Sequence, residues 1–249
     1  MLKDYPVELI SVDSVMVYKD CDIGSAKPSN EVLRKYPHHL VNIESLENIF
    51  TVSDFCKESL KLIDKIHDNE KIPLFVGGSM MYFKSLFHGI HDLPGKDHDY
   101  REELNHLKNN NPKNYLYSLL KNIDSVYANQ IEENDHIRII RALEIYKQSN
   151  IKLSDIFKET PKNGIKNNFD VHQFGIHLGR DIIHERIKTR LIEMFDQGLI
   201  EETINILAKF QISNDHPFRK AVNYKQTIEF IDGKYPKEIL IDKSLYASR

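Results

Sequence analysis

The chain has little of several features that would assign a protein to a class at once. Only two cysteines, Cys21 and Cys56, occur among 249 residues, and no charged-then-apolar leader opens the sequence. We therefore expect a cytoplasmic protein rather than a secreted disulfide scaffold. No apolar run approaches the ~20 residues of a membrane-spanning helix, so we expect no membrane association. With 41% hydrophobic and 29% charged residues, the composition is that of a folded globular protein.

Net charge and simple catalytic motifs are also scarce. The 34 basic and 37 acidic residues give a formal charge of -3, so a polyanionic partner would have to meet local basic patches. Twelve histidines are present, but no HExxH and no cysteine pair at zinc spacing, and we expect no protein metal site. His38, His39, His88 and His91 are expected to be loop neighbours. The GxSxG turn of serine hydrolases is absent as well.

The first third of the chain has the rhythm of a parallel α/β sheet. Val7 to Val12 is predicted to form a strand, and Thr51 or Ser53 can cap a following helix. The run KIPLFVGG is predicted to form a second buried strand, and SMMYFKSLFHG a helix that ends near Gly89. Strand, helix, strand, glycine turn and helix in this order predict a parallel sheet covered by helices.

The pattern becomes helical from residue 97 to residue 168, with DHIRIIRALEIYKQSN as the clearest helix. After it, DVHQFGIHL is predicted to form a strand, followed by a helix, a break at Gly198, and further helices to the end of the sequence. The predicted domains are therefore an α/β core over 1–96 and 169–249, and an all-helical insertion over 97–168.

Two strand ends could carry chemistry. Asp13 and Ser14 follow the first strand, at the edge where open α/β sheets bind ligands, and Asp13 is either a base or metal ligand or a turn cap. Gly77, Gly78 and Ser79 form a second strand-to-helix turn, which suits a phosphate or is simply a tight turn capped by Ser79.

Two arginine pairs lie on predicted helices. Arg138 and Arg141 are three residues apart and Arg186 and Arg190 four apart, so each pair shares a helix face. Such a pair can hold a diphosphate or follow a nucleic-acid backbone. Alternatively it is solvated or paired with neighbouring acids, of which Asp135, Glu144, Glu185 and Glu193 are available.

An ordered set of segments resembles the bacterial tRNA dimethylallyltransferases, also called tRNA isopentenyltransferases. The segments are PVELISVDSVMVYKDCDIGSAKPS, YPHHLVNI, TVSDFCKESL, IPLFVGGSMMYFKSLFHGI, ENDHIRIIRALEIY, GLIEE and VNYKQTIEFIDG. Their order and spacing match over nearly the whole chain, so the resemblance is specific although each short motif alone would be weak.

The resemblance implies transfer of a dimethylallyl group from dimethylallyl diphosphate to N6 of the adenosine 3′ of the anticodon. It also implies a P-loop NTPase-like parallel sheet core with a helical insertion that grips the tRNA anticodon stem-loop. A monomer and Mg2+ as cofactor are further expectations of the family. The target base must leave its stack to reach a buried pocket.

The resemblance assigns roles residue by residue. It implies catalytic roles for Asp13, which would accept the N6 proton, for Ser79, which stands where the family usually has Thr, and for Arg186. It places Arg186 near the diphosphate, and Arg190 shares its helix face. The implied RNA-binding positions are Asp13, Ser14, Val15, Met16, Ser79, Arg101, Ile137, Arg138, Ile139, Ile140, Arg141, Lys220, Ala221, Val222, Asn223, Tyr224 and Lys225. Asn223 departs from the family, which usually has Gly there.

One family element has no counterpart in the sequence. No GxxxxGK[ST] occurs, and Met1 to Tyr5 aligns with the end of the helix that follows this P-loop in the family. The first strand, the P-loop and its helix are therefore expected to be missing, as is the basic stretch that follows YASR. We interpret the chain as a truncated family member that is inactive as given, which is either a fragment, the product of a mis-called start or the product of a decayed gene. The alternatives are a non-catalytic RNA-binding remnant and a small-molecule kinase of P-loop ancestry.

Overall fold

A computed structural model describes residues 5–248 of the chain. It divides into two compact units, one built from residues 1–86 and 171–249 and the other from residues 87–170. The helix end that the resemblance places over Met1 to Tyr5 lies, apart from Tyr5, outside the described residues. Arg249, the last residue of the predicted final helix, also lies outside them.

The first unit contains a small parallel sheet, as the alternation of strand and helix patterns predicted. Its strands are β1 (Val7–Val12), β2 (His38–His39) and β3 (Ile72–Gly77), in the order β2-β1-β3. Leu9 of β1 is in register with His38, and Val12 is in register with Gly77. The two histidines were expected in a loop; they form a strand because β1 offers its free edge to their backbone.

Three helices accompany these strands. They are α1 (Asn30–Lys35), α2 (Val52–Asp68) and α3 (Met80–His88). Thr51 caps α2 as predicted: its hydroxyl accepts the Asp54 N–H, and the Asp54 carboxylate accepts the Thr51 N–H in return. The apolar face of α2, with Phe55, Ile63 and Ile66, is buried.

The second unit is helical. It contains α4 (His98–Asn110), α5 (Tyr115–Ile123), α6 (Ser125–Ala128), α7 (His136–Ser149), α8 (Leu153–Ile156) and a 3-10 turn at Ile165–Asn167. Its core is formed by apolar side chains from five helices: Leu104, Leu116, Tyr117, Leu120, Ala128, Ile139, Ala142, Leu143, Ile145 and Leu153. The unit starts before the predicted boundary at residue 97, and its role in tRNA binding stays a prediction.

The chain then returns to the first unit with α9 (Arg180–Asp196), α10 (Leu199–Lys209), α11 (Pro217–Lys220), α12 (Tyr224–Ile231) and α13 (Lys237–Ser248). Gly198 separates α9 from α10 with φ +100°, in the left-handed region that favours glycine, as the predicted break required.

The strand predicted over DVHQFGIHL does not form. Residues 171–179 have no assigned secondary structure, and Phe174 and Ile176 are exposed. A strand exists only when its N–H and C=O groups pair with a neighbour, and no strand described in the structure lies next to this segment. The local pattern was strand-like, but the described part of the chain places no strand beside it.

β3 also lacks an expected covering. It is an edge strand, and both Ile72 and Val76 are about half exposed. Strands of parallel sheets are normally buried on both faces, because helices cover them. Within residues 5–248, β3 therefore pairs on one edge only, and its apolar side chains Ile72 and Val76 are partly uncovered.

Candidate functional site

The carboxyl ends of β1 and β3 lie side by side and bring Asp13 and Ser79 to one edge of the sheet. Asp13 is the first residue after β1, and the Ser79 N–H donates to the Val12 carbonyl oxygen at 3.2 Å. Ser79 directly precedes α3, and its own carbonyl oxygen accepts the N–H groups of Tyr82 and Phe83. Two residues far apart in sequence thus share the edge where parallel sheets bind ligands.

Glycine at position 77 is what allows this close approach. A Cβ atom on Gly77 would overlap the carbonyl oxygen of Val12, whereas one on Gly78 would meet nothing within 4 Å. Gly77 therefore lets β1 and β3 meet at their ends, and Gly78 leaves open space in front of the turn. That space is where a ligand atom could approach the backbone.

The Asp13 carboxylate caps the turn that follows it. Its Oδ1 atom accepts the N–H groups of Val15 at 2.8 Å and Met16 at 3.0 Å. These bonds match the turn-cap alternative, and they fix the orientation of the side chain. Oδ2 accepts no hydrogen bond from the described residues, so capping and proton acceptance use different oxygens.

The remaining residues of the first predicted RNA-binding stretch, Ser14, Val15 and Met16, are partly exposed around this turn. Val17 and Tyr18, which follow, are fully buried. The turn is therefore partly exposed at the surface, and the buried residues that follow it hold it in place.

Arg186 and Arg190 lie on one face of α9, as their spacing predicted. Both residues are exposed, and neither makes a hydrogen bond or ion pair within residues 5–248. The neighbouring acids Glu185 and Glu193 thus do not pair with them. Nothing in the described structure joins the pair to Asp13 or Ser79, and their diphosphate role stays a prediction.

The stretch from Lys220 to Lys225 has an exposed side and a buried side. Lys220, Val222 and Lys225 are exposed, Ala221 is partly exposed, and Tyr224 is fully buried. Asn223 adopts φ +73° and ψ -52°, a conformation suited to the glycine that the family usually has. Its backbone therefore keeps the glycine geometry at the cost of strain.

In the second unit, Arg101 and Arg141 are held by one buried carboxylate. Glu144 is 0% exposed and accepts from Arg101 Nε at 2.6 Å, from the Asp97 N–H at 2.7 Å, and from Arg141. Arg141 also donates to the carbonyl oxygens of Pro94 and Gly95. Burial alone would raise the pKa of Glu144, but the hydrogen bonds from Arg101 and Arg141 outweigh it and hold the pKa below its ordinary value.

Arg138 is placed differently from Arg141. Its side chain is 65% exposed and pairs with Asp135, the cap of α7, whereas that of Arg141 is 28% exposed. Ile137 is also exposed, Ile140 is partly exposed, and Ile139 is buried in the core. Within the predicted RNA-binding segment of α7, the surface therefore consists mainly of Ile137 and Arg138.

Sequence reasoning missed two charged residues near the turn after β1. Glu202 accepts three backbone N–H groups from residues 22–24, and the Lys27 ammonium donates to three oxygens while only 3% exposed. Glu202 lies in the segment GLIEE, which belongs to the resemblance, but its contacts are more than 170 residues away. No local signal pairs it with them.

Groups of metal-binding side chains and membrane-spanning helices are both absent from the described residues. The described residues contain no group of three His, Cys, Asp or Glu side chains that could hold a metal ion, and the Mg2+ expectation stays a prediction. Between residues 5 and 248, no helix has the length and apolarity needed to cross a bilayer.

Comparison with known proteins identifies relatives across most of the chain. A family model described as IPP transferase matches residues 16–249. A tRNA dimethylallyltransferase of Psychrobacter arcticus is 36% identical over 226 residues, which are 90% of this chain and 54% of that protein. One of Acinetobacter baumannii is 34% identical over 247 residues, 97% of this chain and 78% of that protein. The chain thus spans about half the length of the first relative.

Solved structures agree with these matches. The crystal structure of the full-length tRNA isopentenylpyrophosphate transferase from Bacillus halodurans superposes with a TM-score of 0.64 at 32% identity, covering 99% of this chain and 76% of that one. The similarity therefore extends to the arrangement of the elements as well as to their sequence.

Proposed function

This chain belongs to the IPP transferase family, and we propose that it carries the tRNA-binding and proton-accepting parts of a tRNA dimethylallyltransferase. The observation that carries the proposal is the sheet edge where Asp13 and Ser79 meet, beside an anchored, partly exposed turn. The relatives named tRNA dimethylallyltransferase support the substrate class.

In the proposed reaction, the N6 amine of the adenosine 3′ of the anticodon attacks the first carbon of dimethylallyl diphosphate. The new C–N bond forms as the C–O bond breaks, and the diphosphate leaves with the bonding electrons. The N6 proton passes to Asp13 Oδ2, since Oδ1 already accepts the Val15 and Met16 N–H groups. Those two bonds hold the carboxylate still while it accepts the proton.

Ser79 and the cations have separate roles in this proposal. Ser79 lies at the same edge of the sheet as Asp13. In this proposal its hydroxyl orients the target adenine by hydrogen bonding. Arg186 and Arg190 hold the diphosphate from α9, where both residues are exposed. In the second unit, Arg138 and Ile137 meet the anticodon stem-loop, and Arg101 and Arg141 shape the surface behind them.

Mg2+ is proposed to enter with the diphosphate rather than to reside in the protein. Mg2+ keeps several waters and is often bound by substrate phosphates with one or two carboxylates, so it needs no dedicated cage of side chains. No step above is assigned to it.

We also propose that the three-stranded sheet is part of a P-loop NTPase-like core, and that a further strand belongs beside β3. Ile72 and Val76 are half exposed on β3, and Phe174 and Ile176 are exposed in the segment 171–179, which has no assigned secondary structure. One strand with its following helix would cover these side chains and pair the edge. The 249 residues contain no GxxxxGK[ST], so the donors that such a loop supplies to a leaving diphosphate are not among them.

We therefore expect the 249 residues to bind the stem-loop but to transfer the prenyl group poorly. Each donor lost from a preorganised site costs roughly 3 kcal/mol, or about a hundredfold in rate. A non-catalytic RNA-binding remnant is the second candidate function, and this same lack of the phosphate-binding loop favours it.

The test incubates the chain with Mg2+, dimethylallyl diphosphate and unmodified tRNA, and measures the prenylated nucleoside. A version extended at its amino terminus with the strand, P-loop and helix of a relative serves as the comparison. The extended version should be active, and Asp13→Ala in it should lower the rate by about 10²- to 10⁴-fold while tRNA binding changes little. Equal activity of the two lengths would contradict the argument from the missing loop, and full activity of Asp13→Ala would leave Asp13 as a cap only.

A further inference from the structure

Glu202 lies where two predicted RNA-binding stretches of the first unit come together. Its carboxylate accepts the N–H groups of Asp22 at 3.1 Å, Ile23 at 2.7 Å and Gly24 at 3.0 Å. The same carboxylate accepts the hydroxyl of Tyr224 at 2.6 Å. One side chain on α10 thereby contacts the loop after β1 and the first residue of α12.

Lys27 also stabilises the loop after β1, through hydrogen bonds that do not involve Glu202. The Lys27 ammonium donates to the Tyr18 carbonyl oxygen at 2.8 Å, to Asp22 Oδ1 at 2.7 Å and to Asn42 Oδ1 at 2.6 Å. The Asn42 N–H in turn donates to the Met16 carbonyl oxygen at 3.1 Å. A continuous chain of hydrogen bonds thus runs from Met16, in the first RNA-binding stretch, to Glu202.

The second stretch is tied to the same place. Tyr224 is fully buried, and Asn223 Nδ2 donates to the Gly24 carbonyl oxygen at 3.3 Å. A Cβ atom on Gly24 would lie 2.6 Å from Cζ of Tyr224, so glycine is needed for this approach. Burial raises the pKa of Tyr224, which keeps its hydroxyl protonated and able to donate.

We infer that Glu202 is a positioning residue that sets the spacing between the turn at Asp13 to Met16 and the stretch from Lys220 to Lys225. Neither the proposed base nor the exposed lysines touch Glu202; it acts through residues 22–24 and Tyr224. Both carboxylate oxygens of Glu202 accept hydrogen bonds, from the N–H groups of residues 22–24 and from the Tyr224 hydroxyl, and a glutamine amide would turn an N–H group towards at least one of these donors. The inference rests on the proposed function, because the spacing matters only if both stretches meet RNA.

The experiment compares Glu202→Gln with Glu201→Gln. Glu201 lies on the same first turn of α10 and is exposed, so the control has the same charge change without the contacts. Two quantities are measured on the full chain: amide hydrogen exchange at residues 22–24, and affinity for an anticodon stem-loop RNA at two salt concentrations. Tyr224→Phe, which keeps the carboxylate and removes one donor, is a milder second variant in case Glu202→Gln fails to fold.

Glu202→Gln should exchange the amides of residues 22–24 at least about tenfold faster and bind the RNA about tenfold more weakly than Glu201→Gln, with Tyr224→Phe between them. Equal RNA affinity of Glu202→Gln and Glu201→Gln, with wild-type binding intact, would overturn the positioning role alone. Failure of the wild-type chain to bind the stem-loop would instead overturn the proposed function and this inference with it.

Discussion

At the scale of single residues, Asn223 adopts a positive φ that glycine accommodates best, at the position where the resemblance implies a glycine. It has φ +73°, its N–H donates to Gln226 Oε1 at 2.8 Å, and its buried Oδ1 has no hydrogen-bond partner among the described residues. The side chain donates two long hydrogen bonds, to the Gly24 carbonyl oxygen at 3.3 Å and to Met194 Sδ at 3.6 Å, and leaves Oδ1 without a partner among the described residues, while the backbone is strained.

We predict that Asn223→Gly will be more stable than Asn223→Ala by about 1 kcal/mol, because only glycine relaxes at positive φ. Both variants lose the same side-chain contacts, so the difference isolates the backbone. Chemical denaturation of the two variants measures it. Equal stabilities would mean that the local backbone rearranges when the side chain is removed.

At the scale of elements, α7 carries two arginines of opposite character. Arg138 is exposed and pairs with the helix cap, whereas Arg141 is bonded to buried Glu144 and to the loop at Pro94 and Gly95. From their spacing alone, both arginines were expected on one helix face and in the same role. Because Arg141 donates to the buried Glu144 carboxylate, Arg141 is a structural residue.

Arg138→Ala should therefore weaken RNA binding and lower the slope of log affinity against log salt by about 0.7 to 0.9, with little change in stability. Arg141→Ala should destabilise the second unit by about 2 kcal/mol, because buried Glu144 loses a charged donor. Filter binding across a salt series and thermal unfolding separate the two effects. An unchanged salt slope in Arg138→Ala would mean that Arg138 only forms a surface ion pair and does not contact RNA.

At the scale of the whole molecule, each unit contains a carboxylate that is stabilised in its charged form. The hydrogen bond from Lys71, with a second from His39, lowers the pKa of Glu8 in the first unit, and Glu144 has a lowered pKa in the second. A carboxylate with a folded-state pKa below its unfolded value adds stability that is complete above the unfolded pKa and is lost as the pH falls through the folded one.

We predict that the free energy of unfolding is flat near neutral pH and falls as the pH drops below about 4 to 5, the range of ordinary carboxyl groups. Glu144→Gln should be less stable than wild type at pH 7, and the difference should shrink in acid. Glu8→Gln should behave in the same way with a smaller effect, since Glu8 is nearer the surface. Denaturant titrations at a series of pH values test this, and a gap that stays constant into acid would contradict it.

The local sequence determined much of this molecule. β1, the Thr51 cap, the strand ending at Gly77 and the break at Gly198 each follow from short-range rules of propensity, capping and backbone freedom, and the structure confirms them. The family also followed from ordered motifs. In these cases the physical cause lies within a few residues of the effect.

Only the tertiary structure decided what depended on partners far away in the chain. The segment at residues 171–179 has a strand-like pattern, but none of the strands described between residues 5 and 248 lies beside it, so it forms no strand. Arg138 and Arg141 share a helix face, yet of these two only Arg141 binds the buried Glu144 carboxylate, which Arg101 also binds. Glu202 meets residues 22–24 across nearly the whole sequence, because hydrogen bonding depends on distance in space and not on separation along the chain.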